Sequence, residues 1–202
     1  MHAQPSSRGG KSSKELIARL ALQLHLTGEG IKDVFEDAPV EAAISVETAL
    51  DGGAESGDAL DWRRQLLDMY RGWAGARNMQ ISEVPARAGE APILLISGFG
   101  AHRALAGETG LHVLETSDGG KAAARTTARV RVAPAPAGEM PAAKLRVALA
   151  MGFAASAASN ILVRRYRDGA SPSVRDMKAG WRSGRLDAVL RGDFDLIGAI
   201  QS

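Results

Sequence analysis

Ile44-Ser-Val-Glu-Thr-Ala-Leu50, then the turn-rich run Asp51 to Asp58, then Ala59-Leu-Asp-Trp62-Arg-Arg-Gln-Leu66-Leu67-Asp-Met69-Tyr70-Arg-Gly-Trp73-Ala74 form the stretch that decides the fold. The first part alternates apolar and polar residues as a half-buried strand does. The middle is turn chemistry, with Asp58 placed to cap a helix. In the last part Trp62, Leu66, Tyr70 and Trp73 fall on one stripe of that helix, expected from Ala59 to Asn78, with Leu67 and Ala74 beside it. An aromatic stripe of this kind has to be laid on another layer of structure, and the strand beside it supplies the first piece of a sheet.

Working outward, Gln80 to Val84 and Pro92 to Ser97 read as strands separated by a polar turn. A short helix is expected at Ala101 to Ala106. Leu111 to Glu115 and Thr127 to Ala133 read as another pair of strands. Pro134, Pro136, Gly138 and Pro141 mark a linker. Ala142 to Ser159 reads as a helix interrupted by Gly152, Ile161 to Arg167 as a strand, and Asp168 to Pro172 as a turn. Asp193 is placed to cap a last short helix after the stop at Gly192. Upstream, Ser12 with Glu15 forms a capping box before Leu16, Ile17, Leu20 and Leu24, with Gly28 as the stop. A second short helix is expected from Ile31 to Asp37, ending before Pro39. The expected organisation is a disordered tail over 1–12, a short helical segment over 13–40 and one body over 41–202. Its class is α+β, helices packed on a mainly antiparallel sheet.

Composition narrows the function. At 202 residues, 45% apolar and 24% charged, the chain suits an ordinary globular domain, and at 4% aromatic its interior relies on Ala, Leu, Val and Ile. There is no cysteine, so disulfides and thiolate metal sites are excluded, which fits a cytoplasmic protein. No apolar run approaches the ~20 residues of a membrane span. Net charge is +2, but it is distributed unevenly. Residues 1–60 carry five basic and ten acidic side chains, and residues 144–202 carry ten basic and five acidic. An Arg-rich carboxy-terminal half is the kind of patch that attracts phosphate backbones, and also the kind that is simply solvated surface.

Three stretches resemble the codon-reading body of bacterial class I peptide chain release factors. The first is Val46 to Leu50, Gly52-Gly53-Ala-Glu55, and the helix Trp62-x-x-x-Leu66-Leu67-x-Met69-Tyr70 with Trp73-Ala74 beyond it. The second runs from Ile96-Ser97-Gly98 to Glu108-Thr109-Gly110-Leu111-His112. The third is Asp176-Met-Lys178-Ala-Gly180, then Leu186-Asp187-Ala188-Val189-Leu190-Arg-Gly192-Asp193-Phe194-Asp195. They occur in the family's order and span roughly two thirds of the chain. Departures from the family are equally plain. About forty residues stand where its long helical amino-terminal domain would be. Val113 follows His112 where the family has Arg, and Leu114-Glu115-Thr116 passes directly to Ser117-Asp118-Gly119-Gly120-Lys121 without the codon-reading tripeptide. Residues 134–160 replace the domain that carries the family's hydrolytic Gly-Gly-Gln loop. The Gly-Gly pairs of this chain are followed by Lys11, Ala54 and Lys121, never by Gln.

The resemblance therefore implies a release-factor-like ribosome binder that modulates termination or rescue without hydrolysing peptidyl-tRNA. It is expected to need no cofactor and to take no small-molecule substrate. Its partners would be ribosomal RNA near the decoding region, or a release or rescue factor. The residues expected to contact RNA are Lys121, Arg125, Arg129, Arg131, Arg164, Arg165 and Arg167, with Arg175, Lys178, Arg182 and Arg185 extending the basic stretch. Arg129 and Arg131 share a strand face by period-two alternation and so could meet successive phosphates. Two alternatives stay open: an active factor whose catalysis is supplied in trans, and a scaffold that has left the ribosome. His112 reads as a packed structural residue, Trp62, Tyr70 and Trp73 as core, and Asp193 with Asp195 as helix capping.

Overall fold

The structure, a computed structural model, describes residues 9–48, 56–86, 91–117, 124–136, 138, 140–156 and 160–194. Within them the elements in chain order are α1 (Gly9–Phe35), β1 (Ala42–Glu47), α2 (Gly57–Gly75), β2 (Gln80–Val84), β3 (Ile93–Ser97), α3 (Ala101–Ala106), β4 (Gly110–Thr116), β5 (Ala124–Pro134), α4 (Ala142–Ala155), β6 (Leu162–Asp168), β7 (Ser173–Asp176), β8 (Arg182–Ser183) and α5 (Leu186–Leu190). The strands form one sheet in the order β2-β3-β1-β5-β4-β6-β7-β8. Each neighbouring pair is antiparallel except β4 and β6. This is the expected α+β class.

Strand alternation gives the sheet two unlike faces. On the first lie Ile44, Val46, Ala128, Val130, Val132, Leu94, Ile96, Tyr166 and Val174, and α2 lays its stripe across them. Trp62, Leu66, Tyr70 and Trp73 are all fully buried there. Ser56, rather than Asp58, caps α2: its hydroxyl accepts from the Ala59 N–H at 3.2 Å, and Asp58 sits in the first turn, where a carboxylate favours the helix dipole. On the second face a smaller cluster forms where α4 brings Leu149 and Phe153 against Ala43, Ala133 and Val84. α4 runs through Gly152, where a Cβ would make only ordinary contact with Ala133 and the Pro134 carbonyl.

The carboxy-terminal segment is locked down by two glycines. A Cβ on Gly72 of α2 would collide with the Arg191 carbonyl, and one on Gly192 would collide with the Trp73 backbone. Gly192 also holds φ at +102°, a conformation costly for any other residue. Backbone therefore meets backbone, and Phe194 reaches the core beside Tyr70 and Trp73.

Two expectations about the amino terminus are corrected. The two short helices are one 27-residue helix that passes through Gly28. An interior glycine costs only about 1 kcal/mol relative to alanine, and it stops a helix when the chain turns left-handed there. That turn occurs later, at Asp37 (φ +47°), two residues before Pro39. The helix already includes Gly9 to Ser12, so Ser12 is not its cap. The Gly52-Gly53 turn, Lys121 and a helix beyond Asp193 lie outside the described residues.

Candidate nucleic-acid interface

Away from the Leu149–Phe153 cluster, the second face of the sheet is built from arginines. Register places Arg129 opposite Glu47 and Arg131 opposite Ser45 across β1 and β5. Arg125 lies opposite Glu115 across β4 and β5. Arg165 and Arg167 share a face with Val113 and Glu115 across β4 and β6. Arg175 lies opposite Arg165, and Arg182 opposite Arg175, which carries the row to the sheet edge. Seven arginines thus share one face with two carboxylates, Glu47 and Glu115.

Each carboxylate is straddled by two guanidinium groups. Glu47 lies 3.7 Å from Arg129 and 3.2 Å from Arg131. Glu115 lies 3.4 Å from Arg165 and 3.6 Å from Arg167. Arg129 also donates to the Asn160 side-chain oxygen at 2.8 Å. One carboxylate cannot neutralise two cations, so each trio keeps a positive charge. The carboxylates keep the guanidinium groups near one another over the sheet, so the stems lose less freedom on meeting an anion. Arg125, Arg167, Arg175 and Arg182 are exposed, and Arg129, Arg131 and Arg165 are half-buried. Such a surface can pair with several phosphates at once, through forked N–H groups matched to two oxygens. A groove of about 690 Å³ runs from Glu47 and Arg131 under Arg146 and Val147 of α4.

Arg164 does not belong to this interface. It is next to Arg165 on β6, and the alternation that sends Arg165 outward sends Arg164 into the core, where it is 2% exposed. Its guanidinium forks onto Glu108 (3.0 and 2.7 Å) and bonds Asp176 (3.1 and 2.8 Å). The rings of Trp181 and Phe194 lie 5.1 and 4.8 Å from it. Burial opposes its charge, but Glu108, Tyr166 and Asp176 hold its pKa well above the usual guanidinium value. Burial also pulls the Glu108 carboxyl upward against the pull of Arg164. The bidentate contact decides between them in favour of an ionised pair. Asp176 uses its other oxygen to accept from the N–H groups of Lys178 and Ala179, forming the turn that leads to Trp181.

His112 stands beside this cluster and is buried. One ring nitrogen lies 3.0 Å from the Glu108 carbonyl and the other 3.1 Å from the Tyr166 hydroxyl. A carbonyl only accepts, so Nε2 carries the proton and Nδ1 accepts from Tyr166. Burial, then the charge of Arg164, push the imidazole pKa down to about 3. It is a neutral structural histidine. Trp62 donates to the His112 carbonyl at 3.2 Å. The pairing of Glu108 with Asp176 through Arg164 joins residues far apart in sequence, and only the folded chain reveals it.

Of the other basic residues, Lys178 donates to the Gly107 carbonyl and Arg185 pairs with Asp193 at 3.2 Å, both away from the arginine face. No group of three metal-ligating side chains occurs among the described residues. None of their helices is long and apolar enough to cross a membrane.

No family model matches this sequence, and no curated protein does. Among solved structures, the chain is similar to RF2 of Thermus thermophilus, with a TM-score of 0.57 and 18% identity. The match covers 97% of this chain and 77% of that one. The likeness is one of fold.

Proposed function

We propose that this protein is a release-factor-like ribosome ligand that modulates termination or rescue without hydrolysing peptidyl-tRNA. The observation that carries the proposal is the arginine face on a body with the fold of a release factor. Seven guanidinium groups with two carboxylates on one sheet face make a surface suited to folded RNA. Four of the arginines lie within 3.7 Å of those carboxylates. The mechanism is occupancy: the face neutralises phosphates and releases counterions, and the bound protein blocks or reshapes the site it covers. No residue of this chain inherits the work of a Gly-Gly-Gln loop, because no such tripeptide occurs in it.

The test is co-sedimentation with bacterial ribosomes across a salt series, with peptidyl-tRNA release assayed in the same tubes. The expected result is binding that weakens steeply with salt, no release, and loss of binding in the variant Arg165→Gln/Arg167→Gln/Arg175→Gln. Absence of binding at low salt would sink the ribosome reading and leave a scaffold. Release above background would overturn the non-hydrolytic part and favour catalysis by, or recruited to, this chain.

A further inference from the structure

α4 packs on the sheet with one side and stands off it with the next. Leu145, Leu149 and Phe153 close the gap against Ala43 and Ala133. Ala143, Val147 and Ala150, at spacings of 4 and 3, share the neighbouring side of the helix, and the sheet residues facing them are Ser45 and Ile93. Between the two walls lies the groove of about 690 Å³. Small side chains on the helix wall leave this space open: Ala143 and Ala150 are exposed, and Val147 keeps 61% of its surface in water. Arg146, on the same side of α4, donates to the Pro85 carbonyl and so ties the helix to the end of β2.

We propose that this groove receives an unpaired base of the RNA whose phosphates lie on the arginine face, which rests on the reading of that face as an RNA surface. Three observations select a base. First, groove and face are continuous through Arg131, which stands in the arginine row opposite Ser45 and also lines the groove. A phosphate paired with Arg131 therefore brings its own base to the groove mouth. Second, the lining is amphipathic in the sense a base requires. Ile93, Val147 and Phe153 offer apolar contact to its flat faces. The Ser45 hydroxyl and the Glu47 carboxylate offer hydrogen bonds to its edge, the hydroxyl in either role and the carboxylate as an acceptor. Third, the groove is lined by two guanidinium groups, Arg131 and Arg146, against one carboxylate, Glu47, which Arg129 also shares. An occupant without an anion would strip water from cations it cannot pair, whereas a nucleotide carries its anion with it.

The experiment is fluorescence anisotropy of the full chain with two probes. One is a single-stranded RNA of about ten nucleotides, and the other is the same strand stripped of its bases, which keeps every phosphate. The intact strand should bind about tenfold more tightly. Ala143→Leu/Ala150→Phe fills the groove from two exposed positions and should close that gap. It should leave circular dichroism, affinity for the base-free strand and salt dependence as they are in the parent. Ala150→Phe alone should close part of the gap. Equal affinity of the parent for the two strands would overturn the proposal, as would a gap that survives the filling of the groove. Binding of the base-free strand without a gap sinks the groove and leaves the arginine face standing. Failure of both strands to bind at low salt sinks the arginine face, and the groove with it.

Discussion

Arg164 and Arg165 are neighbours on β6, identical in chemistry and opposite in fate. Arg164 enters the face that α2 covers, loses its water, and is compensated by two carboxylates, a phenol and two aromatic rings. Arg165 enters the face that no helix covers at that strand and shares one carboxylate with Arg167. The first is a tie between the turn after α3, β6, β7 and the carboxy-terminal segment. The second is part of a charged surface with capacity to spare. The two faces of one sheet thus divide the arginines into those that hold the fold and those free to meet a partner, and strand alternation makes the division. Whether an arginine belongs to one class or the other is decided by how many acceptors surround it, not by its position in a basic run.

The sharpest way to break this comparison is to remove one guanidinium from each side. Arg164→Met should cost about 3–5 kcal/mol, because Glu108 and Asp176 would remain buried without their cation. Arg164→Lys should recover only part of that, since an ammonium cannot fork onto both carboxylates. Adding Glu108→Gln to Arg164→Met should also restore part of the loss by removing one orphaned charge. Arg165→Gln should shift stability by no more than about 0.5 kcal/mol. Urea unfolding of the four variants reads all of this. Equal losses at Arg164 and Arg165 would erase the distinction between the faces.

Much of this arrangement is legible in the sequence, and the failures have physical causes. The stripe Trp62, Leu66, Tyr70, Trp73 declares α2 because aromatic residues at helical spacing have one way to be buried together. The alternation in Ile44 to Glu47 and in Thr127 to Ala133 declares β1 and β5 for the same reason. A basic run reads as surface, which groups Arg164 with Arg165 and Arg167. Its burial depends on Glu108 and Asp176, 56 and 12 residues away, which no local pattern connects to it. A signal is present nonetheless: Tyr166, two residues on, shares its face and marks that face as inward. Gly28 reads as a helix stop because local propensity ignores what the flanking residues touch, and Leu26 and Gly30 both sit on the body. Glu47 and Glu115 carry no signal of their own, since single acids in strands mean little until register sets two arginines around each.

A second, smaller effect probes the covered face through pH. In the fold, His112 binds a proton only near pH 3, while the unfolded imidazole binds one below about 6.5. Between those values the unfolded state holds more protons. The stability contributed by neutral His112 is therefore complete above 6.5 and is lost as pH falls toward 3, at up to ~1.4 kcal/mol per pH unit. His112→Gln keeps a donor for the Glu108 carbonyl and removes the titration. Its stability should fall less steeply than that of the parent between pH 6 and 4, measured by urea midpoints at each pH. Parallel curves would mean that the imidazole is not held neutral in the core.

The smallest effect on stability is expected where the largest effect on binding is, on the open face. Arg129→Gln/Arg131→Gln leaves Glu47 without either cation, and Arg165→Gln/Arg167→Gln does the same to Glu115. Both carboxylates are partly exposed, at 37% and 20%, so water takes over much of the solvation and unfolding midpoints should barely move. RNA affinity should respond differently. Removing one arginine–phosphate pairing should flatten the plot of log affinity against log salt by about 0.7–0.9. If the face acts as one surface, the two double variants should flatten it by similar amounts, although β5 and β6 lie on opposite sides of β4. Flattening by one pair alone would confine the contact to that side of the sheet. If neither pair moves the slope, the seven arginines are solvated surface, and the contrast between Arg164 and Arg165 is one of packing only.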